Sequence, residues 1–188
     1  MRWRFWILMT LVIAVAAVGS LYGFIRLGKR TYELLPPQRR GAPVSLRWID
    51  AAGSITGFER LRGKVLAVDV WASWCGPCIT SLPQLNALRQ ELEPRGFEVV
   101  GLSVDEDGWE TLRPFLAQRP WLQYRVGTPL DSARLHDTLS YLPGLGAVAA
   151  LPTTFLLDQH GRVAYKHVGM LTASDLRPSI LQLLGETD

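Results

Sequence analysis

The sequence predicts an α/β domain, built on a mixed β-sheet with helices on both faces and preceded by one N-terminal transmembrane helix. Apolar runs typical of buried strands alternate with helical patterns in the order βαβ, further helices and then ββα. A β-hairpin precedes this series. Before the hairpin comes an uncharged stretch from Phe5 to Ile25, which is as long as the ~20 apolar residues that a helix needs to cross a bilayer.

Residues 1–28 are predicted to form a membrane anchor, and a cleaved signal sequence is the alternative. Ala17-Val18-Gly19 is an acceptable cleavage site, but the apolar stretch continues to Ile25, further than a signal h-region normally extends. Positive charges lie on both flanks and are more numerous after the stretch, which favours a cytoplasmic C-terminal domain. Because the N-terminal tail is very short, this bias leaves the topology open.

Residues 29–43 are predicted to be a linker, because Pro36-Pro37, Gly41 and Pro43 favour extended backbone. The folded domain is predicted over residues 44–188. It opens with a hairpin whose strands run from Val44 to Ile49 and from Ser54 to Phe58.

The other elements of the domain follow from apolar periodicity and turn signals. The predicted strands are Val65 to Trp71, Phe97 to Val104, Thr153 to Leu157 and Val163 to Val168. The predicted helices are Gly76 to about Glu93, Trp109 to Gln118, Ser132 to Leu139 and Thr172 to about Leu184. Pro83 is expected to kink the first of these helices, and Thr172-Ala173-Ser174-Asp175 is a capping box that opens the last one.

The composition argues against two classes of protein. Seventeen acidic residues balance most of the 20 basic ones, so the net charge is only +3. The basic residues form no stripe with interleaved aromatic residues, and nucleic-acid binding is therefore not expected. Two cysteines are too few for a disulfide-stapled scaffold.

Both cysteines lie in Trp74-Cys75-Gly76-Pro77-Cys78, where a predicted strand meets a predicted helix. A pair at this spacing can open and close a disulfide reversibly. Cys75 is expected at the helix N-terminus, where backbone N–H groups and the helix dipole favour a thiolate, so it is the predicted nucleophile. Cys78, one turn later, is predicted to resolve the mixed disulfide. Pro77 suits the first helical turn.

Three other interpretations of the cysteine pair are weaker. A static disulfide that closes so small a ring removes little unfolded-state entropy. A zinc site needs two further ligands, and His136, His160 and His167 lack paired spacing. Haem attachment requires a histidine after the second cysteine, where Ile79 stands. The motif therefore predicts redox catalysis without a metal.

Asp69 interrupts the apolar strand six positions before Cys75. Its neighbours Val68 and Val70 indicate burial, which raises the pKa of a carboxyl group by desolvation. Asp69 is predicted to accept the proton of Cys78, directly or through water, when the mixed disulfide resolves. The alternative is a solvated residue at a strand edge.

Several spaced motifs resemble the thioredoxin family. The segment from Val68 to Cys78 resembles the active-site segment of thioredoxin, and Pro83 stands where that family has its helix-kinking proline. Leu151-Pro152-Thr153-Thr154-Phe155 resembles the cis-proline loop, and Val168-Gly169-Met170-Leu171-Thr172 resembles the final strand and helix start. The resemblance extends from about Val44 to the C-terminus and implies a thioredoxin fold.

The chain is most similar to the TlpA/ResA-like, membrane-anchored thiol–disulfide oxidoreductases, on the basis of its anchor, its N-terminal hairpin and the inserted segment from Glu106 to Pro129. This resemblance implies a single-pass protein of the inner membrane, with its catalytic domain in the periplasm or extracytoplasmic space and with protein dithiols or disulfides as substrates. It also implies a cis Pro152 beside the cysteines, with neighbouring backbone that pairs with the substrate as an added strand. The substrate-binding residues that it assigns are Trp74, Gly76, Pro77, Leu151 and Pro152.

The sequence departs from this branch in three places. Cytochrome-maturation members often carry a glutamate after the second cysteine, where Thr80-Ser81 stand here, and usually have a neutral residue at the position of Asp69. Both differences make the site more similar to general thioredoxin and argue against a dedicated role in cytochrome c maturation, which the resemblance to this branch would otherwise imply. The stretch from Leu142 to Ala150 is longer than is usual before the cis-proline. It either lines the substrate groove or is a permissive surface loop.

The Gly76-Pro77 dipeptide indicates the direction of electron flow. Gly-Pro is the pairing of thioredoxin, a reductant near about −270 mV, whereas oxidants such as DsbA lie near about −120 mV. The sequence therefore predicts a protein-disulfide reductase, with the Cys75–Cys78 disulfide as its redox group, no other cofactor, and a transmembrane electron donor. The alternatives are a non-catalytic thioredoxin-like binding module or metallochaperone partner, and a disulfide oxidase.

Overall fold

The computed structural model describes residues 33–130 and 142–185. The predicted anchor over residues 1–28 and the predicted helix from Ser132 to Leu139 lie outside these ranges. Within them, no helix has both the length and the apolar character needed to cross a membrane.

Seven strands form one mixed sheet in the spatial order β2-β1-β5-β4-β3-β6-β7. β3 runs parallel to β4 and antiparallel to β6, and β4 runs parallel to β5. The hairpin β1–β2 joins the sheet through antiparallel pairing of β1 with β5. The strands are β1 Arg47–Ile49, β2 Ile55–Gly57, β3 Val65–Trp71, β4 Phe97–Ser103, β5 Arg125–Pro129, β6 Thr153–Leu157 and β7 Val163–Val168.

In the part of the chain that the structure describes, three α-helices pack against this sheet: α1 Gly76–Leu92, α2 Trp109–Ala117 and α3 Ala173–Gly185. Pro83 lies inside α1 as predicted. The capping box of α3 is confirmed, because the Thr172 amide donates to Asp175 Oδ2 at 2.9 Å. Short 3₁₀ turns occupy Pro37–Arg39, Phe58–Leu61 and Glu93–Arg95.

The central strand β3 was predicted with its observed bounds. All seven of its residues are buried, because β4 and β6 flank it and both of its faces are covered. A strand covered on both faces is expected to be an almost continuous apolar run rather than an alternating pattern. Asp69 is the single exception in that run.

β5 was not predicted from the sequence. Gly127 and Pro129 are poor strand residues, and they hide its pattern. The structure explains Gly127, since a Cβ at this position would lie 2.0 Å from Cδ1 of Trp48 on the adjacent β1. β5 is therefore selected by its contacts with β1 and β4 rather than by local propensity.

The two faces of the sheet are covered differently. All three described helices contribute to the core on one face, together with both cysteines, Ala67 and Trp71. The other face is covered by the hairpin, the turn Phe58–Leu61 and the apolar residues Leu142, Leu145 and Val148. Helices were predicted on both faces of the sheet. The described helices lie on one face, and the predicted helix from Ser132 to Leu139 lies outside the described residues.

Part of the segment assigned to the linker is attached to the domain. Leu34 is buried, and the Leu35 amide donates to the Ala164 carbonyl at 2.8 Å. Arg40 is also buried, and its guanidinium pairs with Asp158 at 3.2 Å. Residues 33–43 therefore lie along the sheet as an ordered strap.

Candidate active site

The two cysteines are joined by a disulfide at the start of α1. Cys75 is the N-cap residue of the helix, with β-region backbone, and its Sγ accepts a hydrogen bond from the Cys78 amide at 3.3 Å. Cys75 retains 6% exposure, whereas Cys78 is fully buried. An N–H group directed at Sγ stabilises the negative charge of a thiolate, so this geometry favours Cys75 as the more acidic thiol.

The loop that precedes Cys75 is held by Asp105, which lies just after β4. Its carboxylate accepts hydrogen bonds from the Ser73 amide at 3.0 and 3.1 Å and from the Ser73 hydroxyl at 2.7 Å. It also accepts from the Ser103 hydroxyl at 2.6 Å. Asp105 is buried, and it therefore fixes the position at which the chain leaves β3 for the cysteines.

Asp69 is fully buried on β3, which excludes the alternative of a solvated residue. Its Oδ1 accepts a hydrogen bond from the Thr154 hydroxyl on β6 at 2.9 Å. Desolvation raises the pKa of Asp69 to about 7, and the Thr154 hydrogen bond opposes that rise. Asp69 thus changes its protonation state near neutral pH. Side chains alternate along a strand, so Asp69 faces the same core as Ala67 and Trp71, to which the cysteines belong.

The Leu151–Pro152 peptide bond is cis, as the family resemblance implied. β6 begins immediately after it, and Thr153 is the register partner of Val70 on β3. Pro152 therefore lies at the same end of the sheet at which β3 leads to the cysteines. Pro152 is buried, Leu151 is partly buried, and the Gly169 amide donates to the Pro152 carbonyl at 2.8 Å.

Apolar surface surrounds this end of the sheet. Trp74 is 66% exposed, and Gly76 and Pro77 are also exposed. Val168, the last residue of β7, is 43% exposed, and Met170, just after this strand, is 55% exposed. β7 pairs with β6, which begins directly after Pro152. Exposed large apolar residues are typical of surfaces that bind other proteins.

The stretch from Leu142 to Ala150 is anchored through apolar contacts. Leu142, Leu145 and Val148 belong to the core on the face of the sheet opposite the cysteines. The Lys166 ammonium donates to the Ala147 carbonyl. This part of the chain therefore covers the face of the sheet opposite the cysteines. The two sequence-based interpretations, a lining of the substrate groove and a permissive surface loop, did not anticipate this.

The histidines that the sequence analysis considered as zinc ligands are not assembled with the cysteines. His160 lies in the turn after β6 and His167 lies on β7, while His136 is outside the described residues. No group of three or more His, Cys, Asp or Glu side chains within residues 33–130 and 142–185 is arranged to hold a metal ion.

Sequence reasoning missed three residues of this region: Asp105, Thr154 and Tyr124. Asp105 had a usable signal, because polar residues that follow neighbouring parallel strands meet at one edge of the sheet. Thr154 could be linked to Asp69 only through the β3–β6 register. Tyr124, which is buried next to Gly101 of β4, carries no local signal at all.

Comparison with known proteins agrees with this geometry. Residues 44–183 match the Redoxin family. The chain is 30% identical over 181 residues to the thiol:disulfide interchange protein HelX of Rhodobacter capsulatus, with 94% of each chain covered. It is 29% identical over 127 residues to the thiol-disulfide oxidoreductase ResA of Bacillus cereus, with 68% of each chain covered.

Solved structures show the same fold. A Chlorobium tepidum structure that carries the name thiol:disulfide interchange protein DsbE superimposes with a TM-score of 0.64 and 30% identity, over 78% of this chain and 98% of that one. A secreted thiol-disulfide isomerase from Corynebacterium glutamicum, at 21% identity, has a TM-score of 0.67. The chain belongs to the Redoxin family and, within the thioredoxin superfamily, to the TlpA/ResA-like thiol–disulfide oxidoreductases.

Proposed function

We propose that this protein is a membrane-anchored, extracytoplasmic protein-disulfide reductase that acts by dithiol exchange through Cys75 and Cys78. The observation that carries the proposal is the asymmetry of the pair. Cys75 caps the helix and accepts an N–H hydrogen bond on its sulfur, whereas Cys78 is fully buried one turn inside. One thiol is thus suited to attack and the other to resolve.

The proposed cycle starts from the reduced pair. The Cys75 thiolate attacks one sulfur of the substrate disulfide, and a Cys75–substrate bond forms as the substrate S–S bond breaks with its electron pair on the leaving sulfur. Cys78 then gives its proton to the Asp69 carboxylate and attacks Cys75. The Cys75–Cys78 disulfide forms, and the second substrate sulfur leaves as a thiolate. The enzyme loses two electrons, and the substrate disulfide gains two.

The substrate is proposed to bind across the apolar surface formed by Trp74, Gly76 and Pro77, with Leu151 and Pro152 beside it. Backbone next to Pro152 can pair with an extended substrate segment as an added strand. Such pairing recognises a main chain rather than particular side chains, which suits an enzyme that acts on several proteins.

The reducing direction is supported by the environment of Cys75. Within the described residues, the one hydrogen bond to its sulfur comes from the Cys78 amide, and neither Gly76 nor Pro77 has a side-chain donor. Strong oxidants have a heavily stabilised thiolate, and this site has a single donor. A reductase outside the cytoplasm requires a dithiol donor, which we propose is a membrane protein that carries electrons across the bilayer.

The family resemblance supports the proposed location and pathway. The predicted anchor over residues 1–28 would hold the domain at the inner membrane, on the periplasmic or extracytoplasmic side. The role in cytochrome c maturation is proposed from the resemblance to the TlpA/ResA-like branch. At Thr80-Ser81 the chain departs from the cytochrome-maturation members of that branch.

Redox equilibration tests the proposed direction. The purified protein would be equilibrated in glutathione buffers of defined potential and assayed for insulin reduction. A potential near about −270 mV with turnover is expected, and a potential above about −150 mV would show an oxidase instead. Titratable thiols without turnover would favour the non-catalytic binding module.

A further inference from the structure

Three buried polar atoms near Asp69 lack a hydrogen-bond partner among residues 33–130 and 142–185. They are Asp69 Oδ2, Trp71 Nε1 and Tyr124 Oη. Asp69 and Trp71 are fully buried, and Tyr124 is 5% exposed. An unpaired buried polar group destabilises the folded state, so three such atoms in one region call for a common explanation.

Two of these side chains, Trp71 and Tyr124, pack against Gly101 of β4, the strand beside Asp69. Gly101 is the register partner of Asp69, so the two residues lie side by side on the same face. A Cβ built on Gly101 would lie 2.9 Å from Trp71 Nε1 and 3.0 Å from Tyr124 Cε2. Trp71 and Tyr124 therefore occupy the position that a side chain of Gly101 would need, and all three polar side chains lie next to one another on this face of the sheet.

We propose that one internal water molecule lies between these three polar atoms, and that the Tyr124 hydroxyl acts through it as a positioning residue for Asp69. The water accepts hydrogen bonds from the Trp71 indole N–H and the Tyr124 hydroxyl, and it donates one to Asp69 Oδ2. Three hydrogen bonds are the usual complement of a buried water. This arrangement gives each of the three atoms a hydrogen-bond partner, while the Thr154 hydroxyl still donates to Asp69 Oδ1.

The proposal rests on the role of Asp69 in the proposed function and adds a consequence for it. Hydrogen bonds to a carboxylate favour its charged form. The water network would thus hold Asp69 as a base at neutral pH, against the desolvation of its site. Electrostatics supports this proximity, because the pKa of Tyr124 is raised by burial and then by the negative charge of Asp69. Tyr124 accordingly stays protonated and remains a donor.

Other groups that titrate or carry charge also face this side of the sheet. Thr154 on β6 separates Asp69 from His167 on β7, which lies in the same register row. Among the described residues, the other ionisable side chains on this face are Asp105 after β4, and Tyr165 and His167 of β7. Cys75 and Cys78 of α1 are joined in the disulfide and do not titrate in that form. The Tyr165 hydroxyl lies 3.3 Å from His167 Nδ1. Because β7 is two strands away from β3, Tyr165 is a suitable control tyrosine for Tyr124.

The test compares Tyr124→Phe with Tyr165→Phe in the full-length protein, in the disulfide form. Aspartate carries a ¹³Cγ label, and the Asp69 signal is assigned by its loss in Asp69→Asn. Removal of the Tyr124 hydroxyl should raise the Asp69 titration midpoint by about one pH unit, while Tyr165→Phe should leave it unchanged. An unchanged midpoint in Tyr124→Phe, or an equal rise in both variants, would overturn the proposal.

A second variant guards against misfolding of the first. In Gly101→Ala the added methyl group would meet Trp71 Nε1 at 2.9 Å and Tyr124 Cε2 at 3.0 Å, so both side chains must shift, and the midpoint should also rise; an unchanged midpoint in a folded Gly101→Ala protein would count against the site. In Tyr124→Phe, resolution of the Cys75 mixed disulfide at pH 7 should slow about fivefold, in step with the lower carboxylate fraction. A raised midpoint with an unchanged rate would sustain the water site and remove Asp69 from the proposed function.

Discussion

The Thr154 hydroxyl donates a 2.9 Å hydrogen bond to Asp69 Oδ1 across the β3–β6 pair. Thr154 lies on β6 two residues after Pro152, so this bond connects the strand that follows the proposed substrate-binding residue Pro152 with the buried carboxylate of β3. It favours the charged form of Asp69, whereas burial favours the neutral form. Their balance brings the pKa of Asp69 to about 7.

Resolution of the mixed disulfide should follow the protonation of Asp69. The carboxylate is the form that accepts the Cys78 proton, so the rate should rise as the pH increases through about 7. Asp69→Asn should slow resolution about 10²-fold or more and remove this dependence. Stopped-flow fluorescence with a small disulfide substrate measures both. A wild-type rate in Asp69→Asn would exclude Asp69 as the base.

Asp69 should also make the stability of the oxidised protein depend on pH. Its pKa is about 7 in the folded state against an ordinary value of 3.8. Between these values the folded state binds the extra proton, so the free energy of unfolding decreases as the pH rises from about 4 to 7. The total effect is ~4 kcal/mol, at 1.36 kcal/mol for each pH unit.

Urea unfolding from pH 4.5 to 8 measures this effect. Asp69→Asn carries no titratable group, so its advantage in stability over the wild type should grow with pH and level off above about 7. A stability difference that stays constant across this range would show that Asp69 is ionised throughout.

Asp105→Asn tests the attachment of the active-site loop. The amide replaces one acceptor oxygen with a donor that faces the hydrogen-bond donors of Ser73 and Ser103. The free energy of unfolding should fall by about 2 kcal/mol, and the Ser73 amide should lose protection against hydrogen exchange. Asp107→Asn, an exposed neighbour, serves as the control and should change neither quantity.

The buried pair of Arg40 and Asp158 should fasten the strap to the domain. Arg162 donates to the same carboxylate at 2.8 Å. Burial alone raises the pKa of Asp158, but hydrogen bonds from Arg162 and Arg40 outweigh it, and the pKa lies below its ordinary value. Asp158 therefore stabilises the folded state above its unfolded pKa and loses that contribution as the pH falls through its folded pKa.

Arg40→Met keeps the apolar stem and removes the charge. It should lower the free energy of unfolding at pH 7 by about 3 kcal/mol, because a buried carboxylate loses a partner. The loss should shrink toward pH 3 as Asp158 becomes protonated. Arg39→Met alters an exposed neighbour and should have little effect. A loss of equal size at pH 3 and pH 7 would show that packing, rather than charge, holds the strap.

The central elements were predictable because their signals are local. β3, β6 and β7 are apolar runs bounded by turn residues, and each was predicted with its observed bounds. β5 was not predicted, because Gly127 is a poor strand residue whose role is to leave room for Trp48, on a strand distant in sequence. Cys75, Cys78 and Asp69 could be identified from one segment. Tyr124 could not, since only the folded sheet brings it to that segment, and Asp105 could be linked to it only through the expected pairing of β3 with β4.

Trapping the mixed disulfide is the most direct test of dithiol exchange. Cys78→Ser removes the resolving thiol, so the full-length protein should accumulate covalent adducts with substrate proteins through Cys75. Mass spectrometry after non-reducing separation identifies the linkage and the partners. Dithiol exchange with Cys75 as the nucleophile predicts adducts in Cys78→Ser that dithiothreitol releases, and none in Cys75→Ser. Equal trapping by both variants, or adducts only through Cys78, would contradict the assignment of Cys75 as the nucleophile.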